Sequence, residues 1–93
     1  MTEFVLRTRT ERRLYVEALL SCLDRDTLTA QQACQDILDI GRTGNLQTES
    51  AERSISTRID GIIAAYLAKT IDERIAIKNL AQVLDAIAPE VAY

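Results

Sequence analysis

The sequence contains no histidine and no tryptophan, and it has only two cysteines. Histidine is the side chain best suited to acid–base catalysis near neutral pH, and its neutral imidazole is the most common metal ligand in proteins. Its absence excludes most hydrolase and metalloenzyme sites. No other acid, base or nucleophile stands at a spacing typical of catalysis. We therefore expect no enzymatic activity, no metal and no cofactor.

The two cysteines, Cys22 and Cys34, are separated by eleven residues. This spacing fits neither a Cys-x-x-Cys redox pair nor a zinc site, which needs four ligands. Both fall on apolar faces of predicted helices, where a free thiol behaves as a small hydrophobic side chain. The sequence also shows no signal peptide at Met1 and no apolar run of the roughly 18 residues that a membrane span needs. These features predict a cytoplasmic protein with reduced thiols and no membrane contact.

Helix-breaking residues are scarce, because proline occurs once, at Pro89, and glycine only three times. Hydrophobic residues make up 47% of the 93 residues, which is enough for the core of one small domain. The few breakers and the helical spacing of the apolar residues predict an all-α fold, a small helical bundle. We expect an N-terminal arm or short strand over residues 1–9 and a single helical domain over residues 10–93.

The domain is predicted to begin with a helical hairpin. Thr8, followed three residues later by a glutamate, forms a capping-box pattern and places the first start near Thr8 or Thr10. Thr29 and Gln32 repeat this pattern before the second helix. Gly41 is predicted to end that helix in the left-handed conformation, which glycine adopts readily. The apolar residues at helical spacing are Val16, Leu19, Leu20 and Leu23 in the first helix and Ala33, Cys34, Ile37 and Leu38 in the second. Tyr15, Ala18 and Cys22 are expected to widen the apolar face of the first helix.

The stretch 49–88 carries a continuous helical stripe of apolar residues and allows two architectures. Thr70 and Glu73 form a third capping-box pattern, which predicts that a new helix begins there. Against a break, no glycine, asparagine or proline stands between residues 64 and 78. The stretch is therefore either one long helix, straight or kinked, or a second helical hairpin. A single long helix could not bury its stripe in a monomer, so it would imply a homodimer.

The chain is acidic, with a formal net charge of −3 and an isoelectric point near 4.8, which is the wrong sign for a general nucleic-acid binder. A small acidic helical protein resembles immunity proteins, antitoxins, phage-encoded inhibitors and small adaptors in size and charge. Because the sequence offers no catalytic constellation, we predict that this protein binds a protein partner, preferably a basic one, and regulates, inhibits or tethers it. We also expect a homodimer. The acidic residues expected to attract the partner are Asp36, Asp39, Glu49, Glu52, Asp60, Asp72 and Glu73.

The N-terminal segment differs from the rest of the chain because it is basic, with four arginines between residues 7 and 13. From Phe4 to Thr10 a strand would place Arg7 and Arg9 on one face. A short strand followed by two helices resembles the ribbon-helix-helix repressors and antitoxins, in which a two-stranded ribbon enters the major groove of DNA. The resemblance implies an alternative function as a DNA-binding regulator. Its candidate nucleic-acid contacts are Arg7, Arg9, Arg12 and Arg13.

Overall fold

The computed structural model describes residues 9–42, 44, 46 and 48–87. Within these residues the chain is a bundle of α-helices without a strand, which confirms the all-α fold class. The helices are α1 (Arg9–Asp24), α2 (Ala30–Arg42), α3 (Glu49–Leu67) and α4 (Glu73–Ile87). The predicted arm lies outside the described residues except for Arg9, which already belongs to α1. The capping box predicted from Thr8 lies outside them too.

The described part of the stretch 49–88 forms two helices, α3 and α4, so the single long helix is wrong. The two helices pack against each other, and each also contacts α2. Their main apolar residues are therefore covered within the chain. A single long helix was the reason to expect a homodimer, and the break between α3 and α4 removes that reason. The homodimer stays a prediction.

One hydrophobic core joins the four helices. α1 packs chiefly on α4, and α2 chiefly on α3. The eight apolar residues of the two predicted stripes are all buried. Of the three residues expected to widen the face of α1, Tyr15 and Cys22 are half-buried, whereas Ala18 is exposed, so its placement is wrong. Full burial of each large aliphatic side chain contributes about 1.5–3 kcal/mol. The buried residues added by α3 and α4 are Ile59, Ile63, Ala76, Ile77, Leu80, Val83, Leu84 and Ile87.

Two helices end on residues that are not glycines but adopt the left-handed conformation. Asp26, after α1, has φ 61°, and Lys69, after α3, has φ 62°. The amide of Lys69 donates to the carbonyl of Tyr66 at 3.0 Å, and the amide of Thr70 donates to that of Ala65 at 2.9 Å. These are the paired hydrogen bonds of a Schellman motif, a helix end at which glycine is usual. Because lysine replaces glycine here, the sequence carries no recognisable stop signal for α3.

The starts of α2 and α4 use different capping residues. The amide of Gln32 donates to Oγ1 of Thr29 at 3.1 Å, and the amide of Thr29 donates to Oε1 of Gln32 at 2.9 Å. The capping box predicted for α2 is therefore confirmed. At α4 the amide of Ile75 donates to Oδ1 of Asp72 at 2.9 Å, so Asp72 is the capping residue. The box predicted from Thr70 is wrong, because α4 begins directly after Asp72.

Gly41 has a role in packing rather than in ending a helix. It lies inside α2 and is buried, and no described glycine has a positive φ. The left-handed conformation predicted for it is therefore wrong. A Cβ atom at this position would overlap Cδ1 of Leu46 and would lie 2.9 Å from Cδ1 of Ile87. The absence of a side chain lets these two residues pack closely against the backbone of α2.

Candidate functional site

A cleft of about 580 Å³ lies where the ends of three helices meet, and we call it the turn cleft. The end of α1, the end of α3, the α3–α4 turn and the start of α4 form its walls. It exists because α3 stops at its left-handed C-terminal cap and α4 starts again after only five residues. The residues that line the turn cleft are Asp24, Tyr66, Leu67, Lys69, Thr70, Ile71, Asp72, Glu73 and Ile75.

The turn cleft presents aliphatic side chains to solvent. Leu67 is 46% exposed and Ile75 is 44% exposed, and Ile71 between them is half-buried. Among the described residues, the large hydrophobic side chains with this degree of exposure are these two and Leu14, which is 58% exposed on α1. Single exposed apolar residues are ordinary on protein surfaces, whereas adjacent ones in a concave site are typical of binding surfaces.

Negative charge predominates around these aliphatic side chains. Asp24, Asp72 and Glu73 line the turn cleft, and Lys69 is its one basic residue. The hydroxyl of Tyr66 donates to the two carboxylate oxygens of Asp24 at 2.9 and 2.8 Å, which joins the end of α1 to α3. Loss of hydration, together with the carboxylate of Asp24, raises the pKa of Tyr66 to about 12. The site can therefore attract cations while it covers apolar groups.

The acidic residues predicted to attract a partner do not form one surface. Asp72 and Glu73 lie in the turn cleft. Asp39 on α2 and Glu52 on α3 both accept hydrogen bonds from Arg42, which therefore offsets part of their charge. The hydrogen bond with Glu52 is the main reason that the pKa of Arg42 is raised.

The other three predicted acids lie outside the turn cleft, and one of them, Glu49, lines a surface pocket together with Glu52. The charge of Asp36 adds to the effect of burial in raising the pKa of the Tyr15 phenol. Asp60 adds to the effect of burial in raising the pKa of the Cys34 thiol. Glu49 lies in the first turn of α3, where a negative charge interacts favourably with the helix dipole. Of the seven predicted acids, the turn cleft brings together only Asp72 and Glu73.

The arginines predicted to contact nucleic acid lie in different environments. Arg12 is only 2% exposed, and its Nη1 donates to Oδ1 of Asp85 at 2.8 Å. This ion pair connects α1 to α4, so the guanidinium is used within the bundle. Arg13 is exposed, and Arg9 begins α1, so the predicted strand does not extend to Arg9. Arg7 lies outside the described residues, and the DNA-binding alternative stays a prediction.

Of the residues that line the turn cleft, sequence reasoning singled out only Asp72 and Glu73. Leu67 and Ile75 carry apolar surface across the junction between α3 and α4, and the break after α3 leaves them beside an open cleft. The four-residue spacing of Leu67, Ile71 and Ile75, to one side of the main stripe, is the signal that could have identified them. No sequence pattern identifies Asp24 as part of the site, because it joins the site through its contact with Tyr66, which lies 42 positions away along the chain.

Comparisons with known proteins do not indicate a function for the turn cleft. The chain matches no protein-family model, and neither curated proteins nor solved structures give a significant match. In the described part of the chain, no three or more cysteine and carboxylate side chains form a group that could hold a metal ion. None of the helices described there has the length and hydropathy of a membrane span.

Proposed function

We propose that this protein is a non-enzymatic interaction module whose turn cleft binds a basic segment of a protein partner. The observation that carries the proposal is the pair of exposed aliphatic side chains, Leu67 and Ile75, among the carboxylates of the turn cleft. A partner segment with an aliphatic residue flanked by lysine or arginine complements both features. The turn cleft would hold this segment, and the protein would thereby regulate, inhibit or tether the partner.

The apolar contacts and the charges have separate effects on binding. Covering the exposed half of Leu67 and Ile75 contributes about 1 kcal/mol each, since burial of a whole side chain contributes about 1.5–3 kcal/mol. Together they account for roughly a thirtyfold change in the dissociation constant. The three carboxylates remain partly hydrated, so they mainly speed association with a basic partner and discriminate against an acidic one.

Selection from a random peptide library displayed on phage tests this proposal without knowledge of the natural partner. Peptides are selected on the wild-type protein and then depleted on the double variant Leu67→Ser/Ile75→Ser. The expected result is enrichment of sequences that combine lysine or arginine with leucine, isoleucine or valine. Enrichment of acidic sequences, or of none, would overturn the proposal.

Leu14→Ser provides the matched control, because Leu14 is an exposed leucine outside the turn cleft. The selected peptides should bind the Leu14→Ser variant as tightly as the wild-type protein. They should bind the double variant about thirtyfold more weakly, from the apolar contribution alone. Equal weakening by both sets of substitutions would show a nonspecific apolar interaction and contradict the assignment of the site.

A further inference from the structure

A groove between α1 and α4 is lined by three basic residues and one acidic residue, and we call it the basic groove. Its volume is about 510 Å³. Arg13 of α1 and Arg74 and Lys78 of α4 line it, and all three are exposed. Half-buried Ala81 contributes aliphatic surface to it, together with the small exposed part of Ile77, which is otherwise buried in the core. The basic groove therefore combines positive charge with apolar contact area.

The positive charge of the basic groove is not neutralised by described neighbours. None of the side chains of Arg13, Arg74 and Lys78 forms an ion pair or hydrogen bond within the part of the chain that the structure describes. Asp85 is the one acidic residue in the lining, and it accepts a hydrogen bond from the buried Arg12. The charge of Asp85 is thus offset from inside the bundle, and the groove keeps a positive sign although the chain as a whole is at −3.

We infer that the basic groove binds an acidic segment of a second protein, with glutamate or aspartate on the three cations and an aliphatic side chain on Ile77 and Ala81. Charge complementarity carries this choice. A nucleic acid fits less well, because no aromatic residue lines the groove for base stacking and the net charge of −3 opposes a long polyanion. A surface of opposite sign to the turn cleft would let one chain connect two partners.

The inference is tested with a fluorescently labelled helical peptide that carries glutamate on one face and leucine on the other. Fluorescence anisotropy measures its binding to the wild-type protein and to the double variant Arg74→Glu/Lys78→Glu. Both substituted residues are exposed, so the bundle is expected to remain folded, as circular dichroism will show. We expect the wild-type protein to bind the peptide and the double variant to bind it at least about tenfold more weakly.

Arg25→Glu/Arg58→Glu is the matched control, because it reverses two exposed arginines outside the basic groove. This control variant should bind the acidic peptide nearly as well as the wild-type protein. If both double variants bind the acidic peptide equally weakly, the loss of binding reflects only the change in net charge, and the inference is overturned. A failure of the wild-type protein to bind the peptide would overturn it as well.

Three further titrations test the class of ligand and the surface that binds it. A short DNA duplex and a single DNA strand are titrated in parallel. If either binds more tightly than the acidic peptide, and if this binding is lost in Arg74→Glu/Lys78→Glu, the choice of an acidic protein segment as the ligand is overturned. The variant Leu67→Ser/Ile75→Ser is expected to bind the acidic peptide normally, because the turn cleft is a different surface. The result at the basic groove therefore does not depend on the function proposed for the turn cleft.

Discussion

The two glycines inside helices are expected to respond in opposite directions to substitution by alanine. Gly41 lies in α2 and Gly61 in α3, and neither has a positive φ. A Cβ atom at Gly41 would overlap Leu46 and Ile87, whereas a Cβ atom at Gly61 has nothing within 4 Å. The two substitutions therefore add the same methyl group to a helix, once in the core and once in solvent.

The size of the difference follows from two terms. Alanine is favoured over glycine in a helix interior by about 0.5–1 kcal/mol, so Gly61→Ala should stabilise the protein by that amount. Gly41→Ala also loses about 1–3 kcal/mol to overpacking, because the methyl groups it would displace belong to buried side chains. Gly41 stands near the end of α2, so its gain in helix propensity is smaller. We expect a net loss of about 1–2 kcal/mol for Gly41→Ala.

Thermal and urea unfolding, followed by circular dichroism, measure both variants. For a domain of this size, a change of 1 kcal/mol shifts Tm by about 4–8 °C, so the opposite signs are readily resolved. Gly41→Asn extends the test, because asparagine is tolerated in a left-handed cap but is larger than alanine in a packed site. Equal stabilisation by both alanine substitutions, or a tolerated asparagine at Gly41, would refute the packing role.

Further predictions concern a helix end, the thiols and the pH dependence of stability. Lys69→Gly should stabilise the protein by about 0.5–1 kcal/mol in urea unfolding, since φ is 62° there, while Lys69→Ala should not. Iodoacetamide, followed by mass spectrometry, should label Cys22 faster than Cys34, because Cys34 is buried and its burial raises the pKa of its thiol. Faster labelling of Cys34 would contradict this. The raised pKa of Tyr66 means that the folded protein holds this proton more tightly, so its contribution to stability is complete below the ordinary value of 10.0 and is lost as pH rises towards about 12. Over that interval the free energy of unfolding of Tyr66→Phe should fall less steeply with pH than that of the wild-type protein, and parallel curves would contradict the assignment.

The parts of the fold that could be predicted from sequence depend on residues close together along the chain. Thr29 and Gln32 meet because they are three positions apart, and the stripe from Val16 to Leu23 repeats at the helical period. The first pattern predicts the start of a helix, and the second predicts which face of a helix is buried. The all-α class, the first two helices and most of the core follow from such patterns.

The parts that could not be predicted depend on contacts between distant residues. Lys69 adopts a glycine-like conformation because α3 and α4 must pack on the same core, and packing overrides its local preference. Position 41 requires glycine because Leu46 and Ile87 leave no room for a Cβ atom, and Ile87 lies near the other end of the chain. Arg12 is buried because Asp85 meets it from α4. The turn cleft and the basic groove both arise from these tertiary arrangements, so the candidate sites had only partial sequence signals.

The central claim is that the turn cleft binds a basic segment of a protein partner, and mapping by nuclear magnetic resonance tests it most directly. A basic peptide obtained from the library selection is titrated into the isotopically labelled protein, and shifts of the backbone amide signals are followed. We expect the largest shifts between Leu67 and Ile75 and at Asp24, with little change at Leu14. Shifts centred on Arg13, Arg74 and Lys78, or spread evenly over the bundle, would contradict the claim.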